Sequence, residues 1–211
     1  DVVVHEYGGN FGNFGDGSGP FEQLLDELHN LNIPQATAAH NFAQYPNHAI
    51  VPINPGQEIA LSTYLTVYPG YTADSAALYA QARWREGNKE DLQITLTGLE
   101  EFIPWNQEYA EGEIYAQWNQ IGTSERGTHL KVSTVYQKFD QGLGDRSLTF
   151  TLTNNGEEPI EVWLQIADYN SYSPGVFIDS PYVSKVGTMA HPSTADSAIT
   201  TGAHVGNEAD E

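Results

Sequence analysis

The chain has 211 residues, which is enough for one domain of ordinary size. It carries 28 acidic and 8 basic residues, a formal net charge of -20 at pH 7. The scarcity of Lys and Arg argues against nucleic acid and anionic lipid as partners, because a phosphate backbone is bound by clustered basic side chains. The chain has no cysteine, which excludes disulfides, thiolate metal sites and cysteine nucleophiles.

The composition also predicts a compartment. Only 17% of the residues are charged, and Asn, Gln, Ser, Thr, Gly and Tyr replace the missing charges, as suits an extracellular surface. The first residue is Asp, and no apolar run approaches the ~18 residues of a membrane-spanning helix. We therefore expect a secreted or cell-surface protein that has lost a signal peptide and does not insert into a membrane.

Residues 1–19 predict an N-terminal strand followed by a glycine-rich tether. Val2 to Tyr7 has the composition of a short strand, and six glycines follow it before Pro20. A dinucleotide-binding loop would require G-x-G-x-x-G between a strand and a helix. The glycine spacing does not match, and the sequence shows no βαβ alternation, so we reject a phosphate loop.

Residues 20–32 predict a short amphipathic helix. Pro20 stands at the first helical position, and Glu22 lies in the first turn. The apolar residues recur at the i, i+3, i+4, i+7 spacing of one helix face: Phe21, Leu24, Leu25 and Leu28. This apolar stripe is expected to pack against a sheet.

Residues 48–187 predict a strand-rich core. Period-2 alternation of apolar and polar residues marks the clearest strands: Ile59 to Val67, Leu92 to Leu96, Leu130 to Tyr136, Leu148 to Thr153 and Ile160 to Asp168. An Asn-Gly turn joins the last two. Glu113 to Trp118 and Tyr182 to Val186 are weaker candidates. We predict one all-β domain over residues 1–211, an antiparallel β-sandwich or jelly roll with one short helix near the N-terminus. Residues 188–211 have few large apolar side chains and predict a polar, acidic C-terminal tail.

Two metal sites are compatible with the sequence. Asn10, Asn13 and Asp16 recur every third residue among glycines and could bind calcium through oxygen atoms, although a plain glycine-rich connector has the same pattern. In a chain without cysteine, histidine is the best ligand for copper, and a second hypothesis uses three dispersed histidines: His5, His40 and His48. Scattered histidines are also ordinary surface or core residues.

The segment IPWNQEYAEGEIYAQWNQ predicts a possible sugar site. Aromatic residues that could stack on sugar rings alternate with acids: Trp105, Tyr109, Tyr115 and Trp118. If one strand carries Glu111 and Glu113, their carboxyl groups lie about 6.5–7 Å apart, a separation compatible with glycoside hydrolysis. A solvated acidic edge beside core aromatics would have the same sequence. There is no G-x-S-x-G or H-E-x-x-H motif.

The leading functional hypothesis is self-assembly. A first strand with three valines on a glycine-rich tether could leave its own sheet and complete that of a neighbouring copy, although pairing within the chain is the commoner arrangement. We therefore expect a secreted, non-enzymatic structural or adhesive protein that binds copies of itself. The alternative is an extracellular module that binds a carbohydrate, copper or calcium, and a polysaccharide-active enzyme comes third.

Overall fold

The computed structural model describes residues 2–5, 12–38, 46–65, 75–97, 103–104, 109–111, 114–138, 146–168, 177–178, 180–184 and 193–201. Within these ranges helix α1 spans Pro20–Asn30. The strands, in chain order, are β1 (Val3–His5), β2 (Gln35–Ala38), β3 (His48–Ile53), β4 (Glu58–Leu65), β5 (Ser75–Trp84), β6 (Leu92–Thr97), β7 (Ile103–Pro104), β8 (Tyr109–Glu111), β9 (Ile114–Thr123), β10 (His129–Lys138), β11 (Arg146–Asn154), β12 (Ile160–Asp168), β13 (Phe177–Ile178) and β14 (Ile199–Thr201).

The chain divides into two compact units, where the sequence predicts one domain. Unit 1 comprises residues 1–44 and 188–211, and unit 2 comprises residues 45–187. The range of unit 2 is close to that of the predicted strand-rich core, 48–187.

In the part of the chain that the structure describes, no helix is long and apolar enough to cross a membrane.

Unit 1 contains a three-stranded sheet in the order β1-β2-β14. Both pairings are parallel, with Val3 opposite Gln35 and Ile199 opposite Ala36. Since α1 connects β1 to the parallel strand β2, this segment is a βαβ unit. The expectation that the sequence has no βαβ alternation is therefore wrong here. Residues 199–201, which the composition assigns to a polar tail, form the third strand.

Local signals determine both ends of α1. Pro20 is the first helical residue, and the Glu22 carboxylate accepts a hydrogen bond from the backbone N–H of Gly19, the N-cap. Asn32 adopts a left-handed conformation with φ 62°, and the backbone N–H of Ile33 donates to the Leu28 carbonyl at 3.0 Å. These features form a Schellman-type cap. The helix therefore ends at residue 30, two residues before the predicted end at 32.

Unit 2 contains two antiparallel sheets. The larger has the strand order β3-β12-β5-β10-β9-β8, and the smaller has the order β13-β4-β11-β6-β7. Inward-facing residues from both sheets form one apolar core, including Val162, Leu164 and Ile166 from β12 and Leu148, Phe150 and Leu152 from β11. The predicted all-β fold is confirmed: the described residues are mostly strands with one short N-terminal helix, and both sheets of unit 2 are antiparallel, whereas the small sheet of unit 1 is parallel. The finer description as a sandwich or jelly roll stays a prediction.

The turn between β11 and β12 connects the two sheets. β11 belongs to the five-stranded sheet and β12 to the six-stranded sheet, so the two strands do not pair with each other. Asn154, which is fully buried, donates to the carbonyls of Ile53 at 3.0 Å and Glu158 at 2.8 Å. Its side-chain oxygen accepts from the Gly156 N–H at 2.9 Å. The Asn side chain thus replaces strand pairing as the support for this turn.

Candidate functional site

Two of the three predicted calcium ligands lie in the loop before α1. The Asn13 side-chain oxygen accepts from the backbone N–H two residues later at 2.5 Å, and its amide donates to Glu22 at 3.0 Å. One Asp16 carboxylate oxygen accepts from the backbone N–H two residues later at 3.0 Å and from the hydroxyl of that residue at 2.5 Å. These bonds hold turns together. Asn10 lies outside the described residues, and calcium binding stays a prediction.

The described copper candidates belong to different units. In unit 1, the His5 Nε2 atom lies 2.7 Å from the Gln35 side-chain oxygen. In unit 2, His48 is buried, and its ring lies 6.1 Å from that of Trp163 in an edge-to-face arrangement. His40 lies outside the described residues. Among the residues that the structure describes, no group of three or more His, Cys, Asp or Glu side chains could hold a metal ion. Copper binding stays a prediction.

The predicted carboxylate pair depends on one continuous strand through residues 111–113. β8 instead ends at Glu111, which pairs with Ile114, the first residue of β9. The chain therefore reverses its direction between these two residues. Glu113 lies outside the described residues, so the separation of the two carboxyl groups stays a prediction.

The predicted sugar-stacking residues are spread over two strands and one segment outside the described residues. Tyr109 lies in β8, whereas Tyr115 and Trp118 lie in β9. Trp105 lies outside the described residues. Sugar binding by this set stays a prediction.

A different group of polar and aromatic residues occupies the six-stranded sheet on the face opposite the core. Since Val162, Leu164 and Ile166 of β12 are in the core, the alternate residues of this strand face outward. The strand register places Trp163 opposite Arg83 of β5, and Gln165 opposite both Gln81 of β5 and His48 of β3. We define the Trp163 cluster as His48, Gln81, Arg83, Glu161, Trp163 and Gln165.

Trp163 forms the exposed part of this cluster. It is 37% exposed and is the only exposed large hydrophobic residue in the described part of unit 2. Its indole N–H donates to a Glu161 carboxylate oxygen at 2.9 Å. The His48 ring packs edge-to-face against the indole. Two neighbouring side chains therefore restrict the orientation of a solvent-facing aromatic ring.

Gln165 forms the buried part of the Trp163 cluster and is 4% exposed. Its Oε1 atom accepts hydrogen bonds from Gln81 at 2.8 Å and from Arg83 at 3.3 Å. Two converging donors require this atom to be the carbonyl oxygen, so the orientation of the amide group is determined. The Nε2 atom of Gln165 is buried and has no hydrogen-bond partner among the described residues. An unsatisfied buried donor costs about 1–3 kcal/mol, which an incoming acceptor oxygen could recover.

The sequence contains one signal for this cluster that the predictions above do not use. In the segment EVWLQIAD, the aromatic residue Trp163 stands in the polar phase of an otherwise regular alternation. Large aromatic residues in that phase face away from the core. The partners from β3 and β5 follow from the strand register, which the local pattern does not contain.

A buried lysine connects the two sheets of unit 2. Lys131 of β10 donates a short hydrogen bond to the Leu92 carbonyl of β6, and its ammonium group lies 5.4 Å from the centre of the Trp84 ring. Burial lowers the pKa of Lys131, and the nearby Glu90 charge opposes that change by raising it. The cation–π contact and the hydrogen bond compensate part of the cost of burying the amine.

Unit 1 carries most of the exposed apolar side chains. Of the nine large hydrophobic residues that are exposed in the described part of the chain, eight belong to unit 1. We define the unit 1 apolar surface as Val2, Val3, Val4, Phe21, Leu24, Leu31, Ile33 and Ile199. Val3 and Val4 are consecutive residues at the start of β1, so they face opposite sides of the sheet, and they are 41% and 66% exposed. Parallel sheets usually have both faces covered.

Comparison with known proteins shows a similarity to a solved protease structure at the level of the fold. No protein-family profile matches the sequence, and no curated protein matches it. The structure is similar to that of the Clostridium perfringens CspB protease, with a TM-score of 0.66 and 14% sequence identity. The match covers 94% of this chain and 40% of that protein. The chain therefore spans less than half the length of the protease. At this level of identity, the similarity shows a shared fold only.

Proposed function

We propose that this chain is a non-catalytic portion of a larger protease-type protein. In this proposal unit 1 belongs to the α/β body of the protein, and unit 2 is an accessory β module inserted into it. The main observation that supports this proposal is the unit 1 apolar surface. Val3 and Val4 expose apolar area on both faces of a parallel sheet, a type of sheet that is normally covered by helices on both faces. Further elements of the same protein would cover these faces.

The order of the segments supports this proposal. Unit 1 consists of two segments that flank unit 2 in the sequence, and β14 joins β2 after the whole of unit 2 has intervened. A module inserted into an existing sheet has this arrangement. The fold-level match to a protease covers both units and only 40% of that protein, which leaves length for the covering elements and for catalytic groups.

The native polypeptide provides the test. An antibody raised against unit 2 should detect, in the source organism, a species larger than the 23.2 kDa of this chain. After purification on that antibody, this species should hydrolyse fluorescently labelled casein, and material purified with pre-immune serum should not. A native species of 23.2 kDa without proteolytic activity would contradict the proposal.

The apolar surface itself can be tested on the isolated chain. We expect the chain to bind the dye ANS, because its apolar residues lack their cover. Replacing Val4 by Thr, Leu31 by Gln and Ile199 by Thr should reduce ANS fluorescence. All four tryptophans lie in unit 2, so an unchanged tryptophan spectrum would show that unit 2 remains folded. Unchanged ANS binding by the triple variant would show that these residues are not the exposed surface.

One observation supports a second candidate function, a secreted structural or adhesive subunit that assembles by exchange of β1. Among the described strands, β1 lies at the edge of its sheet, and its outer edge could pair with another chain. Under this hypothesis, deletion of residues 1–8 should abolish polymerisation and leave unit 2 folded. Sedimentation of the full and truncated chains distinguishes the cases, because polymerisation by the truncated chain would rule out strand exchange.

A further inference from the structure

We propose that the Trp163 cluster binds a neutral glycan, with a sugar ring stacked on Trp163 and a sugar oxygen accepting a hydrogen bond from Gln165 Nε2. This site lies in unit 2 and does not depend on the proposed protease role. It also uses none of the residues that the sequence predicts for sugar binding. The inference rests on the fixed aromatic ring, the buried donor and the charge of the protein.

The aromatic ring is prepared for stacking before a ligand arrives. Glu161 accepts a hydrogen bond from the indole N–H of Trp163 at 2.9 Å. The centre of the His48 ring lies 6.1 Å from that of the same indole, in an edge-to-face arrangement. An aromatic side chain that is already oriented loses little conformational entropy on binding. The apolar C–H face of a sugar can cover the exposed part of the ring, while its hydroxyl groups remain free for polar contacts.

The unpartnered donor determines what the ligand must offer. Both donors to Gln165 Oε1, Gln81 and Arg83, come from β5, whereas the Nε2 atom of the same amide has no hydrogen-bond partner among the described residues. His48 of β3 is opposite Gln165 in the strand register and contacts Trp163. Trp163 and Gln165 are two positions apart on one strand, so their backbones are separated by about 6.5–7 Å. A single ligand can therefore cover the ring and present an acceptor oxygen to Nε2.

The burial of Gln165 makes binding observable. Since this residue is 4% exposed, a sugar oxygen reaches its Nε2 atom only when neighbouring side chains move. A sugar ring stacked on Trp163 replaces water at the exposed part of the indole and changes the polarity around it. We therefore expect glycan binding to change the tryptophan fluorescence of the chain.

The charge of the protein selects a neutral glycan over an acidic one. The chain has a net charge of -20, and the exposed Glu161 carboxylate lies beside the Trp163 ring. The overall field would repel a polyanion, and the exposed Glu161 carboxylate is nearer to solvent than the half-buried Arg83 of the same cluster. Sugar hydroxyl groups avoid this repulsion and can also donate to Glu161.

The test uses the full 211-residue chain in affinity electrophoresis through gels that contain one polysaccharide each. The neutral probes are hydroxyethyl cellulose, soluble starch and mixed-linkage β-glucan, and alginate is the anionic probe. We expect at least one neutral polymer to retard the chain and to change its tryptophan fluorescence, and alginate to do neither. Retardation by alginate alone, or by none of these polymers, would overturn the proposal.

Two variants assign the binding to the cluster. Trp163→Ala should weaken retention about tenfold or more, the loss expected when about 1.4 kcal/mol of contact energy is removed. Phe21→Ala is the matched control, because Phe21 is also aromatic and 37% exposed but belongs to unit 1. Equal retention of these two variants would refute the role of Trp163.

Gln165→Glu tests the buried donor. The glutamate keeps an oxygen for Gln81 and Arg83 but replaces the Nε2 donor by an acceptor, so retention should also fall by about tenfold if a sugar oxygen binds there. The thermal unfolding midpoint of the Gln165→Glu variant, compared with that of the parent chain, shows whether the fold is preserved. A folded Gln165→Glu variant that is retained like the parent would refute the hydrogen bond. If this variant does not fold, the exposed Trp163→Ala variant still decides the proposal.

Discussion

Replacement of Glu22 by Ala tests whether one buried carboxylate joins three segments of unit 1. Glu22 is fully buried in α1, and it accepts hydrogen bonds from the Gly19 N–H at 2.9 Å, the Asn13 amide at 3.0 Å and the Thr194 hydroxyl. Alanine removes the acceptor of all three bonds. At about 1 kcal/mol for each net hydrogen bond, unit 1 should lose about 3 kcal/mol of stability.

Hydrogen–deuterium exchange of the peptide covering α1 is the appropriate assay, because all four tryptophans lie in unit 2 and do not report on unit 1. A loss of about 3 kcal/mol should accelerate exchange in α1 by roughly two orders of magnitude. Glu27→Ala is the control, since Glu27 is on the same helix but exposed. If Glu22→Ala and Glu27→Ala exchange at the same rate, the carboxylate does not connect these segments.

Three further predictions concern unit 2, each measured by urea unfolding with tryptophan fluorescence. Phe150→Ala should lower the free energy of unfolding by about 3–5 kcal/mol, because Phe150 is fully buried in the core. Thr151→Ala should lower it little, because Thr151 faces away from the core. Equal losses would contradict the assigned strand face. Asn154→Ala should lower the free energy of unfolding by about 2 kcal/mol, because two backbone carbonyls lose their hydrogen-bond donor. An unchanged free energy of unfolding would show that the Asn154 side chain does not support the turn. Burial lowers the pKa of Lys131 in the folded state. Between that lowered pKa and the ordinary lysine pKa, the unfolded chain therefore binds more protons than the folded chain. The free energy of unfolding should rise with pH over this range. Lys131→Met should remove this rise; if the variant keeps it, another group is responsible.

Local sequence signals predict the elements whose stability is mainly local or strongly periodic. Pro20 and the apolar spacing predict α1, and alternation predicts the long strands of unit 2, such as β10 and β11. The strands β2 and β14 have only four and three residues, which is too short for an alternation pattern. They are paired through contacts such as that of Thr37 with Thr200, 163 positions apart. A window along the sequence contains no information about such a pair.

The Trp163 cluster is difficult to predict for a related reason. The alternation in β12 predicts that Trp163 and Gln165 face away from the core, but it does not identify their partners. The amide of Gln165 is oriented by Gln81, 84 positions earlier, and by Arg83, 82 positions earlier. The register between β5 and β12 brings these residues together. A site of this kind follows from tertiary structure, whereas the acidic and aromatic segment at 103–120 attracts attention through composition alone.

The glycine-rich segment before α1 illustrates the difference between a tether and an ordered loop. Its glycines permit left-handed backbone at Gly15 and Gly17, with φ 68° and 81°. Asn13 binds Glu22, and Asp16 closes a turn, so side chains stabilise the conformation that the glycines permit. The same residue types that indicate calcium in the sequence therefore have a structural role in the described loop.

The two units differ in what stabilises them. Unit 2 has one core formed by both of its sheets, and in its described part only Trp163 is an exposed large hydrophobic residue. The sheet of unit 1 has three strands of three or four residues, and such a sheet needs a well-packed apolar face for stability. Much of that face is exposed in the described residues. The elements that the proposed larger protein adds would therefore stabilise unit 1.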